Sequence, residues 1–248
     1  MPDFHMTQAG RRLAYARTHG TAPGIVFLGG FKSDMQGTKA VFLEDWARAR
    51  GHAFLRFDYS GHGQSSGAFE DGCIGDWAAD AQAMIEAQTV GPQILVGSSM
   101  GGWISLLMTR ALPPGRIAGL VTIAAAPDFT TRTWEEELTE AQRQDVLATG
   151  QTALPSDYGA PYVFTRKLFD DGAQQRVLTA PLPLPFPVRF LQGTADTDVP
   201  PQVALNLLDH ASGPDIRLTL MRDADHRFST PDCLALIAAS VADVLDRA

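Results

Sequence analysis

The chain has 248 residues, 45% of them hydrophobic, and a formal net charge of −8. That apolar fraction suffices for a sizeable core, while the acidic balance argues against nucleic acid or an anionic membrane surface as partner. Two cysteines, Cys73 and Cys233, make no disulfide framework and point to a reducing compartment. The opening residues, Met1 to Arg12, are too polar for a signal peptide, and no mitochondrial presequence is apparent, so a cytoplasmic location is expected. No run approaches about 18 apolar residues, so no membrane span is expected.

In chain order, Phe4 to Arg17 reads as a hairpin turning at Ala9-Gly10, and Gly24 to Leu28 as a strand ending in Gly29-Gly30-Phe31. Thr38 to Arg50 has helical spacing, with Val41, Phe42, Leu43 and Trp46 expected inward. Ala53 to Phe57 is a strand, followed by a tight Gly-rich loop from Asp58 to Ser65. Cys73 to Thr89 puts Ile74, Trp77, Ala81, Met84 and Ile85 on one helical face. Gln93 to Val96 is a short buried strand, and Trp103 to Met108 lies in a helix. Ile117 to Ala124, Val188 to Gln192 and Ile216 to Met221 read as further strands, and Gln202 to His210 and Pro231 to Arg247 as helices. Strands alternating with helices predict a mostly parallel sheet covered on both faces, with ligands beyond the carboxyl ends of the strands. Between Asp128 and Pro187 this rhythm stops. Glu135 to Leu147 and Tyr162 to Leu178 look helical, and since a structureless loop of that length is improbable, residues 128–187 are read as a helical cap over the strand ends within one domain, 1–248.

The chemistry centres on Gly97-Ser98-Ser99-Met100-Gly101, the Gly-x-Ser-x-Gly pattern of a strand turning at once into a helix. Ser99 has glycine at both ±2 positions and Ser98 does not, so Ser99 is the candidate nucleophile. A serine hydroxyl needs a base, and the base an orienting acid. Of the six histidines, His226 follows the last strand and precedes the last helix, which puts it on the same rim as Ser99. The acid is sought after the strand ending at Gln192. Asp196 comes first after the turn and is preferred to Asp198, which is expected to cap the next helix ahead of Pro200. Asp225 adjoins His226 and diverges from its ring. Two backbone N–H groups must face the developing oxyanion: Met100, which follows the nucleophile, and Phe31, beyond Gly29-Gly30. The Asp58–Ser65 loop has neither a lysine nor Gly-x-Gly-x-x-Gly, and is expected to brace the oxyanion loop. No His-Glu-x-x-His or Cys/His cluster of zinc spacing occurs, so neither metal nor cofactor is expected.

Taken together, Leu28-Gly29-Gly30-Phe31, Asp58-x-x-Gly-His-Gly-x-Ser65, Gly97-x-Ser-x-Gly101, Gly193-x-x-Asp-x-x-Val-Pro200 and Asp225-His226-x-Phe228 resemble the α/β-hydrolase superfamily. The resemblance implies a mostly parallel eight-stranded sheet with helices on both faces and a small cap, and a triad of Ser99, Asp196 and His226. More narrowly, Lys32 to Ala40, Arg56 to Gly61 and Gln93 to Ser99 resemble the family of the mitochondrial palmitoyl-protein thioesterase that also cleaves acyl glucuronides. That likeness implies hydrolysis of acyl esters or thioesters, with a small-molecule or acylated substrate as partner. A carbon–carbon bond hydrolase or perhydrolase on the same triad, and a non-catalytic ligand-binding relative, are the alternatives. The oligomeric state is not legible.

Overall fold

The computed structural model describes residues 2–155 and 161–248. The chain begins with β1 (Asp3–Met6), β2 (Arg12–Thr18), β3 (Thr21–Leu28), α1 (Thr38–Ala49), β4 (His52–Phe57), α2 (Ile74–Gln88), β5 (Gln93–Ser98), α3 (Met100–Ala111) and β6 (Ile117–Ile123). It then leaves the sheet through α4 (Phe129–Arg132), α5 (Glu140–Thr149), β7 (Gln151–Leu154), β8 (Tyr162–Thr165), α6 (Arg166–Gly172) and the short β9 (Leu182–Pro183). It returns with β10 (Val188–Gly193), α7 (Pro201–His210), β11 (Ala211–Ser212), β12 (Ile216–Met221) and α8 (Pro231–Leu245).

One eight-stranded sheet runs in the order β1-β2-β4-β3-β5-β6-β10-β12. Only the β1–β2 and β2–β4 pairs are antiparallel. From β4 onward neighbours run parallel, as expected for strands joined through helices. The alternation of side chains divides the core. Ile25, Phe27, Ile94 and Val96 meet α1 and α8 on one face, while Val26, Leu28 and Leu95 meet α2 and α3 on the other. Because α1 follows β3 on one face and α3 follows adjacent β5 on the other, the two connections part at the carboxyl ends of these strands. That divergence opens a crevice, the usual ligand position in such sheets.

Two readings of the sequence need correction. In α1 Leu43 is buried and Phe42 and Trp46 pack half-buried against the same core as expected, but Val41 lies outside that core and the buried stripe also contains Glu44. Glu44 accepts hydrogen bonds from Arg56 Nε at 2.7 Å and Thr18 Oγ1 at 2.8 Å and so turns inward as a paired charge. The segment from 162 to 178 is not one helix. Tyr162–Thr165 pairs antiparallel with Gln151–Leu154, as its aromatic and β-branched residues favour. Thr165 then caps α6, its Oγ1 accepting from Leu168 N–H at 3.1 Å. Upstream, a π-helical turn at Thr133–Glu137 precedes α5, which starts at a Thr139/Gln142 capping box. Residues 156–160 of the expected cap lie outside the described residues.

The excursion is fastened at both ends. Asp128, at φ 54°, accepts from Val177 N–H at 2.8 Å and Leu178 N–H at 3.1 Å. Lys167 of α6 pairs with Asp76 of α2 at 2.6 Å, and Asp171 accepts from Gly75 N–H at 2.7 Å. Asp128→Ala strands two amides and should cost about 1–3 kcal/mol for each one left without an acceptor. Asp128→Asn, which keeps one acceptor oxygen, should lose less. Urea midpoints for the three proteins check this order, and equal midpoints would contradict it.

Candidate active site

All residues of β5 are buried, and the strand delivers Ser99 to the crevice. Ser99 has φ 54° and ψ −118°, a backbone conformation that costs on the order of 1–3 kcal/mol unless its surroundings enforce it. Here they do. Ser99 N–H donates to Ile123 O at 2.9 Å, while Ser99 O accepts from Gly102 N–H at 2.9 Å and Ala126 N–H at 3.1 Å. A Cβ on Gly97 would collide with Gly101 O and the Ser105 hydroxyl, and one on Gly101 with the carbonyls of Leu28 and Gly29. The two glycines are therefore what let α3 start against β3 and β5 directly after the strand.

Three distant side chains meet there. His226, in the turn after β12, has Nε2 3.1 Å from Ser99 Oγ and Nδ1 2.9 Å from Asp196 Oδ2. A carboxylate can only accept, so Nδ1 carries the proton and Nε2 faces the serine hydroxyl with its lone pair. Asp196 is buried, and its other hydrogen bonds hold it in place. Oδ1 accepts from Asp198 N–H at 3.0 Å and Val199 N–H at 2.8 Å, and Oδ2 also accepts from Gln192 Nε2 at 2.9 Å. Asp198 does not cap α7 as expected. Pro200 holds that position without a side-chain cap, while Asp198 O accepts from Arg132 Nη2 at 2.8 Å. Asp225 turns away from the ring, its Oδ1 accepting from Phe228 N–H at 3.1 Å.

Across the crevice, Gly30 lies against Ser99, since a Cβ on it would stand 3.4 Å from Ser99 Cβ. Phe31 packs edge-on against Phe69, Trp77, Phe129 and Tyr162 and stacks on Phe164, with ring centroids 4.8–5.9 Å apart. Phe129, Tyr162 and Phe164 come from the excursion, which thus contributes to the site wall. Among the described residues neither Phe31 N–H nor Met100 N–H is taken by a protein acceptor. The cleft is about 640 Å³ and is lined by Phe31, Ser99, Phe129, Leu154, Phe164 and His226 among others.

Over residues 25–168 the chain matches the family described as alpha/beta hydrolase fold. The mitochondrial palmitoyl-protein thioesterase ABHD10 of Rattus norvegicus is 36% identical over 241 residues, which cover 95% of this chain and 79% of that protein. This chain belongs to the α/β-hydrolase fold family. Among solved structures, a putative hydrolase from Agrobacterium vitis S4 matches this hydrolase with a TM-score of 0.92 at 38% identity, over 99% of both chains. Alpha/beta hydrolase domain-containing protein 10 from mouse matches with a TM-score of 0.91 at 34% identity, over 99% of this chain and 98% of that one. The curated relatives carry mitochondrial names, which overturns the cytoplasmic expectation. Cysteine usage separates reducing from oxidising surroundings and does not choose among reducing compartments. Among the described residues no helix of the hydrolase is long and apolar enough to cross a membrane.

Sequence reasoning missed three supporting residues. Gln192, buried at the end of β10, donates from Nε2 to Asp196 and also to Val199 O at 2.9 Å. Its signal was a polar residue at the carboxyl end of β10, four positions before Asp196. Lys39, at the start of α1, donates to Arg227 O beside His226, and burial lowers its ammonium to about 8 against the pull of Asp225. His62, in the Asp58–Ser65 loop, accepts from Lys32 N–H at 3.2 Å and so ties that loop to the segment after β3.

Burial lowers the His62 imidazole from 6.5 to about 4, against the opposing hydrogen bond to Ser60 O. Between those values the unfolded chain takes up a proton that the folded hydrolase refuses. The stability tied to His62 is therefore complete above about pH 6.5 and falls, by on the order of 3 kcal/mol, as pH drops toward 4. Urea midpoints of wild type and His62→Gln between pH 7 and 4.5 test this. The wild type should lose more over that window, and parallel declines would contradict it.

Proposed function

We propose that the chain is a serine hydrolase of acyl esters and thioesters, with Ser99 as nucleophile, His226 as general base and acid, and Asp196 as the orienting carboxylate. The observation that carries this reading is the unbroken relay, 3.1 Å from Ser99 Oγ to His226 Nε2 and 2.9 Å from His226 Nδ1 to Asp196 Oδ2. His226 takes the Ser99 proton as Oγ attacks the carbonyl carbon. The tetrahedral oxyanion accepts from Phe31 N–H and Met100 N–H. Collapse expels the thiol or alcohol, protonated by His226, and leaves an acyl ester on Ser99. Water, activated by the same imidazole, then releases the acid and restores the serine. Asp196 keeps the proton on Nδ1 and stabilises the imidazolium.

We assign residues 128–187 as a cap inserted into a single hydrolase domain, 1–248. The apolar side chains of Phe31, Phe129, Leu154, Tyr162 and Phe164 along the cleft favour an apolar acyl group. The name of the rat relative, a palmitoyl-protein thioesterase, supports an acyl thioester as one substrate.

Asp196→Asn should lower turnover of a p-nitrophenyl ester by on the order of 10⁴, because the amide favours the wrong imidazole tautomer. A fluorophosphonate should label the wild type and leave Ser99→Ala unlabelled. Undiminished turnover by Asp196→Asn would remove that residue from the triad, and an unlabelled wild type would end the reading as a serine hydrolase. On p-nitrophenyl esters of rising chain length, kcat/KM should climb with acyl length, and a preference for acetate would contradict the assignment of the apolar wall.

A further inference from the structure

We propose that His62 is a positioning residue of this reaction, locking the peptide planes around Phe31 so that its N–H stays aimed at the oxyanion. The proposal rests on the serine-hydrolase reading above and extends it to a side chain that does not touch the substrate.

The site of action is the backbone of residues 30–33. Phe31 N–H lies in one peptide plane with Gly30 C=O, which accepts from Ser33 N–H at 3.2 Å and Ser33 Oγ at 2.8 Å. In a trans peptide the two groups point in opposite directions, so fixing the carbonyl aims the N–H. The next plane contains Lys32 N–H, which donates to His62 Nε2 at 3.2 Å. Lys32 itself has φ 57°, a region a non-glycine residue occupies only where its surroundings hold it. With the 31–32 plane released, Lys32 would relax toward negative φ and turn the Phe31 amide with it.

His62 is built to hold that plane. It is 3% exposed, and its ring packs edge-on against Tyr59, Phe69 and Trp77 with centroids 5.1–5.6 Å apart. Its Nδ1 lies 3.1 Å from Ser60 O, a pure acceptor, so Nδ1 carries the proton and Nε2 presents a lone pair to Lys32 N–H. Ser60 is itself fixed. Its carbonyl also accepts from Trp77 Nε1 at 3.0 Å, and its N–H and hydroxyl donate to Asp80 Oδ2 at 2.9 and 2.6 Å. Asp58 supplies a second tie further along, accepting from Met35 N–H at 2.6 Å. An apolar side chain would fill the same space, but only an acceptor at the Nε2 position meets the Lys32 amide. Burial lowers the imidazole to about 4, so the lone pair on Nε2 persists at neutral pH.

The test compares wild type, His62→Leu and His62→Gln on one p-nitrophenyl ester, with Ser99→Ala alongside. His62→Leu should lose about 10- to 100-fold in kcat with KM nearly unchanged. His62→Gln, which offers an amide oxygen, should recover most of that loss. Affinity for a trifluoromethyl ketone, whose adduct carries the oxyanion, should fall with kcat, while affinity for the product acid should not. Wild-type kcat in His62→Leu, no rescue by glutamine, or unchanged ketone affinity would each overturn the proposal while leaving the hydrolase reading intact. Activity retained by Ser99→Ala would overturn that reading instead. Should His62→Leu not fold, nitrogen NMR of the wild type decides. A protonated Nδ1 with a slowly exchanging Lys32 amide is expected, and a protonated Nε2 or a fast-exchanging amide would overturn the proposal.

Discussion

The structure depends on a left-handed backbone at one residue. Ser99 is at φ 54° because β5 must end and α3 begin with nothing between them. Such a turn is stable only if strand and helix approach more closely than side chains permit, and Gly97 and Gly101 provide that closeness where any Cβ would strike backbone or a buried hydroxyl. The strained residue is then held by hydrogen bonds to Ile123, Gly102 and Ala126. Strain at this point is the cost of exposing one hydroxyl at the mouth of an otherwise buried sheet. The partners of that hydroxyl arrive from turns after β10 and β12, parallel strands whose shared direction brings their carboxyl ends to the same rim.

Rigidity around the site is layered. Asp196 is held by two backbone amides and by Gln192, and His226 is held by Asp196. On the opposite side the segment after β3 is tied to the Asp58–Ser65 loop through Lys32 and Met35, and that loop to α2 through Ser60, Asp80 and Trp77. The excursion over the site is joined to both halves. Arg132 bridges Glu137 at 2.9 Å and the carbonyl of Asp198, and Lys167 reaches Asp76. The contacts of Arg132 with Asp198, Lys167 with Asp76 and His62 with Lys32 join segments far apart in sequence, and such contacts fix orientation more than they add stability.

Much of this was legible in the sequence because the pattern and the chemistry coincide. The sheet strands announce themselves as short apolar runs, and Gly-x-Ser-x-Gly, Asp196 and His226 each follow one. The misreadings share a cause, which is that periodicity registers hydrophobicity and not pairing. Glu44 turns inward because Arg56 and Thr18 meet it across the fold. The hairpin of Gln151–Leu154 and Tyr162–Thr165 depends on a partner strand that local spacing does not reveal. Asp198 was read as a cap from its distance to Pro200, yet its loop is shaped by Asp196 drawing in two consecutive amides. Lys39 and His62 act through backbone groups, and no residue pattern advertises which carbonyl or amide a side chain will meet.

In the proposed reaction the Ser99 hydroxyl becomes an ester during turnover. Peptide mapping by mass spectrometry, after rapid mixing with a long-chain acyl thioester and acid quenching, tests this most directly. A transient mass increase equal to the acyl group is expected, confined to the peptide containing Ser99 and decaying as the free acid appears. Thioester hydrolysis at full rate with no acyl group ever on that peptide, or with the group on another residue, would contradict it.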